Sequence, residues 1–161
     1  NDVPSYIQAN NTNIDAKLDM NEKYILFNNY IDSGFFRSGK KHQNKIISYV
    51  QKLKENTGHK IIHTGSEKDK EQDNNLYQFV DIDLRGETSI EDLFCLSSLE
   101  NIICNISFDC FQMHLFFMKN KKSFIIFRGR YLKENDEYIK KYVLPPFMFG
   151  GKVTDLIEYI E

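Results

Sequence analysis

Short apolar runs alternate along this chain with longer stretches whose apolar positions recur every three or four residues. The short runs read as strands and the longer stretches as helices. Lys23–Phe27, Lys60–His63, Tyr77–Leu84, Asn101–Ile106 and Lys122–Phe127 are the five predicted strands. Between them, Ile46, Ile47, Val50 and Leu53 share one face of a helix over Lys41–Asn56, which Thr57-Gly58 ends as a glycine C-cap. Ser89 caps a helix running through Ser98, with Glu91 and Asp92 in its first turn. Phe111, His114, Leu115 and Met118 mark a further helix. Glu134–Tyr142 and an amphipathic Lys152–Ile160 read as helices near the end. Thr64–Asn75 is a charged loop with a short helix, and residues 1–22 read as an arm or linker before a domain over 23–161. Strands alternating with helices at this spacing predict an α/β, three-layer α/β/α Rossmann-like domain with a mainly parallel sheet of about five strands.

The totals fit that picture. The chain has 161 residues, enough for one domain with a core, with 41% hydrophobic and 27% charged residues, ordinary for a soluble domain. A net charge of -2 argues against a dedicated nucleic-acid binder. No apolar run approaches the roughly 20 residues that span a bilayer. Three cysteines without a CxxC pair read as reduced thiols and point to a cytoplasmic setting. The chain does not begin with Met, so it reads as a possible piece of a longer protein.

In an open parallel sheet, ligands bind beyond the carboxyl ends of the strands. Several connections there carry candidate chemistry. Asp109 stands between strand four and a helix whose first amides, at Cys110 and Phe111, suit a phosphate. Its plain alternative is a helix cap. His114 follows on the same helix, either supporting the site or serving as a hydrogen-bonded core histidine. Glu67 and Asp69 follow strand two, as ligand contacts or as helix-start residues. Arg128 and Arg130 follow strand five, as anion contacts or surface ion-pair partners. Gly34-Phe-Phe-Arg-Ser-Gly39-Lys40 fits GxxxxGK, but Lys41 stands where a P-loop needs a hydroxyl for magnesium, so a P-loop phosphotransferase is the weaker alternative. The basic cluster Arg37, Lys40 and Lys41 remains a candidate for phosphate contact, its plain alternative being an exposed, solvated helix N-terminus.

The order of these motifs carries more than any one of them. Arg85-Gly-Glu-Thr-Ser-Ile-Glu-Asp-Leu93 and Ser107-Phe-Asp-Cys-Phe-Gln-Met-His-Leu115 resemble motifs of the ADP-heptose:lipopolysaccharide heptosyltransferases, glycosyltransferase family nine. The resemblance runs over roughly Tyr24–Arg130 and is to the C-terminal, donor-binding half of the two-domain GT-B architecture. It implies that Ser38 and Lys40 approach the donor diphosphate, that Glu67 or Asp69 holds the ribose, and that Thr88 lies near the base. It further implies that Asp109 contacts sugar hydroxyls, that the amides of Cys110 and Phe111 meet the phosphate, and that His114 supports the site. Arg128 is expected within reach of the same crevice because it and Asp109 follow adjacent parallel strands. The implied protein is the nucleotide-sugar-binding domain of a bacterial glycosyltransferase in surface glycan or lipopolysaccharide synthesis, cytoplasmic or peripheral at the inner membrane. The donor is its substrate; no cofactor and no metal are expected. The catalytic base and the glycan acceptor site are expected in a further, N-terminal domain. The alternative is a non-catalytic nucleotide- or glycan-binding module on the same fold.

Overall fold

The computed structural model describes residue 14, residues 17–30, 40–126 and 156–160, and the backbone of residues 32–33 and 36–37. Strand β1, Tyr24–Phe27, is buried along its whole length. Two short strands, β2 (Asp32–Ser33) and β3 (Phe36–Arg37), pair antiparallel and precede helix α1, Lys40–Thr57. There follow β4 (Lys60–His63), α2 (Glu67–Gln72), β5 (Ile82–Asp83) and α3 (Ile90–Ser98). Strand β6 (Ile102–Phe108), α4 (Phe111–Met118), β7 (Lys122–Ile126) and β8 (Ile157–Tyr159) complete the described elements.

Six strands form one sheet in the order β5-β4-β1-β6-β7-β8, and every neighbouring pair is parallel. Setting the β2–β3 pair aside, the strands therefore stand in chain order three-two-one-four-five-six. The direction of winding reverses between β1 and β6, which is the switch point of a doubly wound sheet. Strand alternation sorts the core onto two faces. Tyr24, Leu26, Ile62 and Ile102 pack with Leu96 of α3 and Phe116 of α4. Ile25, Phe27, Ile61, Cys104, Ile106 and Phe108 pack with Ile46 and Val50 of α1. Helices thus cover both faces, as the alternating pattern predicts. Ile14 and Leu18 are buried in the first of these cores, and Asn101 Nδ2 donates to the Glu22 carbonyl at 3.2 Å, so residues before β1 lie against the domain. Among the described residues no helix is long and apolar enough to cross a membrane.

Two expectations need correction. The segment read as an amphipathic helix over Lys152–Ile160 contains a sixth strand instead. Leu156, Ile157 and Ile160 fit a helical period, but Ile157-Glu-Tyr159 also alternates, and the open edge of β7 decides between them. Ser123 N–H donates to Leu156 O at 2.8 Å and Ile160 N–H to Ile125 O at 2.7 Å, so β8 satisfies that edge. The strand read over Tyr77–Leu84 narrows to Ile82–Asp83. Val80 N–H closes a turn onto Tyr77 O, and the Asp81 carboxylate, rather than a carbonyl, accepts the Ile61 amide at 2.8 Å. Lys54 Nζ, on α1, donates to the same carboxylate at 2.8 Å and to Phe79 O at 2.7 Å, pinning the turn. The predicted Glu134–Tyr142 helix lies outside the described residues. Of the GxxxxGK segment the structure describes the backbone of Phe36 and Arg37, which pair with Ser33 and Asp32, and Lys40 at the start of α1.

Two glycines hold conformations that other residues resist. Gly58 (φ +71°) ends α1, its N–H donating to Lys54 O at 2.8 Å; Gly86 (φ +75°) turns the chain after β5, its N–H donating to Gly65 O at 2.9 Å. Gly58→Ala and Gly86→Ala are each expected to lower unfolding free energy by about 1–2 kcal/mol from the positive φ alone. A Cβ at Gly58 meets nothing within 4 Å, whereas one at Gly86 would lie 2.3 Å from Glu67 Oε2. Urea titrations should therefore find Gly86→Ala the costlier change, with the excess removed in a Glu67→Ala background and the φ cost left behind.

Candidate functional site

An open cleft of about 240 Å³ lies where the chain leaves the carboxyl ends of β1, β4, β5 and β6. Asn28 enters it from the end of β1, Gly65, Ser66 and Asp69 from the turn after β4 and the start of α2, and Thr88, Ser89, Ile90 and Leu93 from the turn after β5 and the start of α3. Cys110, Phe111 and Gln112 enter from the turn after β6. The site is therefore at the switch point.

Three helices begin at this cleft, and they begin differently. Ser66 and Ser89 each form a reciprocal capping box: Ser66 Oγ accepts the Asp69 amide while Asp69 Oδ2 accepts the Ser66 amide at 2.8 Å. Ser89 and Asp92 repeat the pattern at α3. Because each serine oxygen accepts from its helix, its O–H proton is not used in the cap and is left to donate elsewhere. At α4 the N-cap is Cys110, no side-chain hydrogen bond caps the helix, and no acid stands in the first turn. The α4 amides thus keep more of their positive potential than those of α2 or α3. Burial pushes the Cys110 thiol up, while the Ser107 hydroxyl and the Met113 and Gln112 amides pull the other way. The thiol stays protonated at neutral pH and offers those amides only a weak acceptor.

A buried polar chain fixes the α4 N-terminus against the sheet. Thr64 Oγ1 donates to Gln112 Oε1 at 2.6 Å, and Gln112 Nε2 donates to Asn105 Oδ1 at 2.6 Å. Asn105 Nδ2 then donates to Ser107 Oγ at 2.9 Å and Ser123 Oγ at 3.1 Å. Gln112 lines the cleft yet is only 3% exposed, so it acts as a bracket between β4, β6 and α4.

A second network stands beside the cleft, around Arg85. Its guanidinium donates to both Asp83 carboxylate oxygens, at 3.0 and 2.9 Å, to Asn75 O at 2.8 Å, and to Asp73 O. Asp73 Oδ2 in turn accepts from Tyr77 OH at 2.7 Å and from Asn29 Nδ2 at 2.9 Å. With its amide so oriented, Asn29 presents Oδ1 to His63 Nε2 at 2.8 Å, which places the imidazole proton on Nε2. Burial, and then the charge of Arg85, lower the His63 pKa to about 3, against Asp83 and Asp73. Burial alone would raise Asp73 and Asp83; hydrogen bonds from Tyr77, Asn29 and Asn75 bring the first below its ordinary value, and those from Arg85 the second.

Of the residues expected to act, the structure brings Asp69, Thr88, Cys110 and Phe111 into one cleft. Glu67 stands at the start of α2 with its carboxylate over Gly86, and Lys40 is the exposed first residue of α1. Asp109 is half-buried one residue before the α4 cap, so the cap is Cys110 and not Asp109. His114 is half-buried on α4, and burial lowers its pKa against the pull of Asp109. None of these four lines the cleft. Ser38 and Arg128 lie outside the described residues, as do Gly34, Gly39 and Arg130. Sequence reasoning did not name Asn28, Ile90, Leu93 or Gln112 for the site. Asn28 could have been found from its place directly after the first strand; Gln112 carries no local signal, because its partners are remote in the chain.

Among the described residues no group of three or more His, Cys, Asp or Glu side chains is placed to hold a metal.

The buried neutral His63 predicts an acid-side loss of stability. Its folded pKa lies below its unfolded one, so between about pH 3 and 6.5 the unfolded chain binds the extra proton and stability rises with pH. On acidification from pH 6.5 towards 4.5, before the carboxylates titrate, His63 should contribute a loss of up to about 1.4 kcal/mol per pH unit. His63→Gln keeps a donor for Asn29 and cannot be protonated; urea titrations across this window should show a slope reduced by about one proton, with the remainder from His114, whose pKa is lowered likewise.

No protein-family model and no curated protein matches this chain. Its fold does match solved structures. All of the chain superposes on 42% of the length of a family 9 glycosyl transferase from Veillonella parvula, with a TM-score of 0.62 and 15% identity. Similarly, 99% of it matches 44% of the length of the E. coli ADP-heptose LPS heptosyltransferase II, with a TM-score of 0.58 and 16% identity. At that identity the likeness is one of fold. The chain spans less than half the length of either protein, and its fold is that of a segment of these glycosyltransferases, the group whose motifs Arg85–Leu93 and Ser107–Leu115 resemble.

Proposed function

We propose that this chain is the donor-binding part of a glycosyltransferase and holds a nucleoside diphosphate sugar in the switch-point cleft. The observation that carries the reading is the cleft itself: Ser66 and Ser89 with hydroxyl protons not used in capping their own helices, Thr88 beside them, and the α4 N-terminus left without an oxygen cap. Such donors suit phosphate oxygens. Asp69 uses Oδ2 on the Ser66 amide and keeps Oδ1 to accept a ribose hydroxyl. Arg85, though it belongs to the motif that carries the resemblance, is 3% exposed and engaged on every side; its role is to hold the turn rather than to touch the donor. The glycosyltransferase assignment is supported by the two structural neighbours and by the motif order; the lipopolysaccharide pathway rests on the motifs and on one neighbour's name.

Binding on this reading needs no metal, because amides and hydroxyls supply the positive potential. It is also modest in strength, since the cleft is open and, among the described residues, its one charged lining residue is the acid Asp69. The base that activates an acceptor hydroxyl belongs to the remainder of a longer enzyme, in keeping with neighbours more than twice this length.

Calorimetric titration of ADP, UDP and GDP, first with magnesium and then with EDTA, tests the proposal. Saturable binding that survives EDTA, with a matching rise in thermal midpoint, is expected. Binding lost in EDTA would overturn the amide-and-hydroxyl mechanism, and no binding of any nucleotide would leave the non-catalytic glycan module as the better reading. The chain alone should transfer no sugar from a bound donor; turnover above the hydrolysis background would contradict its being half of a site.

A further inference from the structure

The lining of the cleft is of two kinds: Asn28, Ser66, Asp69, Thr88 and Ser89 are polar, whereas Ile90, Leu93 and Phe111 are its large apolar side chains. Ile90 is 65% exposed and Phe111 50%. Each is the first residue of its helix, α3 and α4, a position where helices favour proline or acidic residues. Neither belongs to a core cluster. Local structure and packing therefore give no reason for either to be apolar. Leu93 packs on the core and also lines the cleft, so the apolar lining is anchored. Met20, Leu76 and Met118, the other large apolar side chains exposed among the described residues, lie outside the cleft.

A concavity lined by large apolar side chains and a few fixed polar groups is the composition of a small-molecule site. Its occupant must be rich in acceptor oxygens at one end and flat and apolar at the other. A planar heteroaromatic ring meets the second need, because stacking on a phenyl ring satisfies its faces and leaves its polar edge to water or hydroxyls. We propose that Phe111, with Ile90 and Leu93 completing the apolar lining, is the stacking platform for the nucleobase of a nucleoside diphosphate. By it the cleft distinguishes a nucleotide from a bare diphosphate. The inference rests on the donor-binding function above and names the part of the donor that the apolar lining takes.

The test compares inorganic pyrophosphate, ADP and UDP on the wild-type chain and on Phe111→Ala and Phe111→Tyr, by calorimetry in EDTA. ADP should bind wild type more tightly than pyrophosphate. Phe111→Ala should weaken ADP and UDP by about 10-fold or more, the usual scale for loss of one base stack, and leave pyrophosphate unchanged. Phe111→Tyr, which keeps the ring, should retain wild-type affinity. Thermal midpoints of both variants should match wild type, since Phe111 lies outside the core, and saturation-transfer NMR should show the base protons receiving the strongest transfer. Equal losses for pyrophosphate and ADP, or no loss for either, would overturn the platform while leaving the diphosphate site standing. Wild type binding none of the three would overturn both.

Discussion

The buried guanidinium of Arg85 is the interaction on which the carboxyl end of this sheet depends. It grips both oxygens of Asp83 at the end of β5 and the carbonyls of Asp73 and Asn75 in the loop after α2. Asp73, so held, receives Tyr77 and Asn29, and Asn29 receives His63. One cation thereby joins the ends of β1, β4 and β5. An ion pair of this kind adds little over an apolar substitute, but removing one partner strands the other, at a cost of about 3–5 kcal/mol. Its contribution is to hold these strand ends and their loops in a single arrangement. Gly86 follows Arg85 immediately, and its hydrogen bond to Gly65 joins the turns that carry Asp69 and Thr88 into the cleft.

The other half of the cleft is set by an uncharged chain. Thr64, Gln112, Asn105, Ser107 and Ser123 pass hydrogen bonds from β4 through α4 to β6 and β7. Polar residues this deep are tolerated only when their groups are paired. The pairing holds the start of α4 where the sheet's winding reverses. The contrast at the three helix starts then follows from sequence alone: two serines followed three residues on by aspartate cap themselves, and Cys110 does not. What is left to a ligand is a set of hydroxyls whose protons the caps do not use, a helix N-terminus with weak local compensation, and an apolar lining.

These features bear on the relation between likeness and activity. The chain shares its fold with glycosyltransferases at 15–16% identity, over less than half of their length. A fold of this class hosts many chemistries, so the reading of function stands on the lining of the cleft. The motif arginine illustrates the point. Arg85, part of a motif that carries the resemblance, is a buried strut, while Phe111, expected to offer its amide, stands at the cleft half exposed.

The sequence by itself determined the sheet and its crossovers. Apolar runs at Tyr24–Phe27, Lys60–His63 and Ile102–Phe108, and the capping boxes at Ser66 and Ser89, are local signals whose physics acts within a few residues. So is the cluster of Asp69, Thr88, Cys110 and Phe111, because connections at one sheet end share one crevice whatever the details of packing. Tertiary structure alone decided the rest. Ile157–Tyr159 could satisfy either period, and became a strand because β7 had an open edge. Tyr77–Val80 reads as the start of a strand over Tyr77–Leu84, and forms a turn in which Lys54, from α1, bonds Phe79 O and the Asp81 carboxylate takes the ladder position at Ile61. Gln112 entered the site through Thr64 and Asn105, and Arg85 was held beside it by Asp73, Asn75 and Asp83. In each case the deciding partner was a hydrogen-bonding group that only the fold brought within reach, and no window on the local sequence contains it.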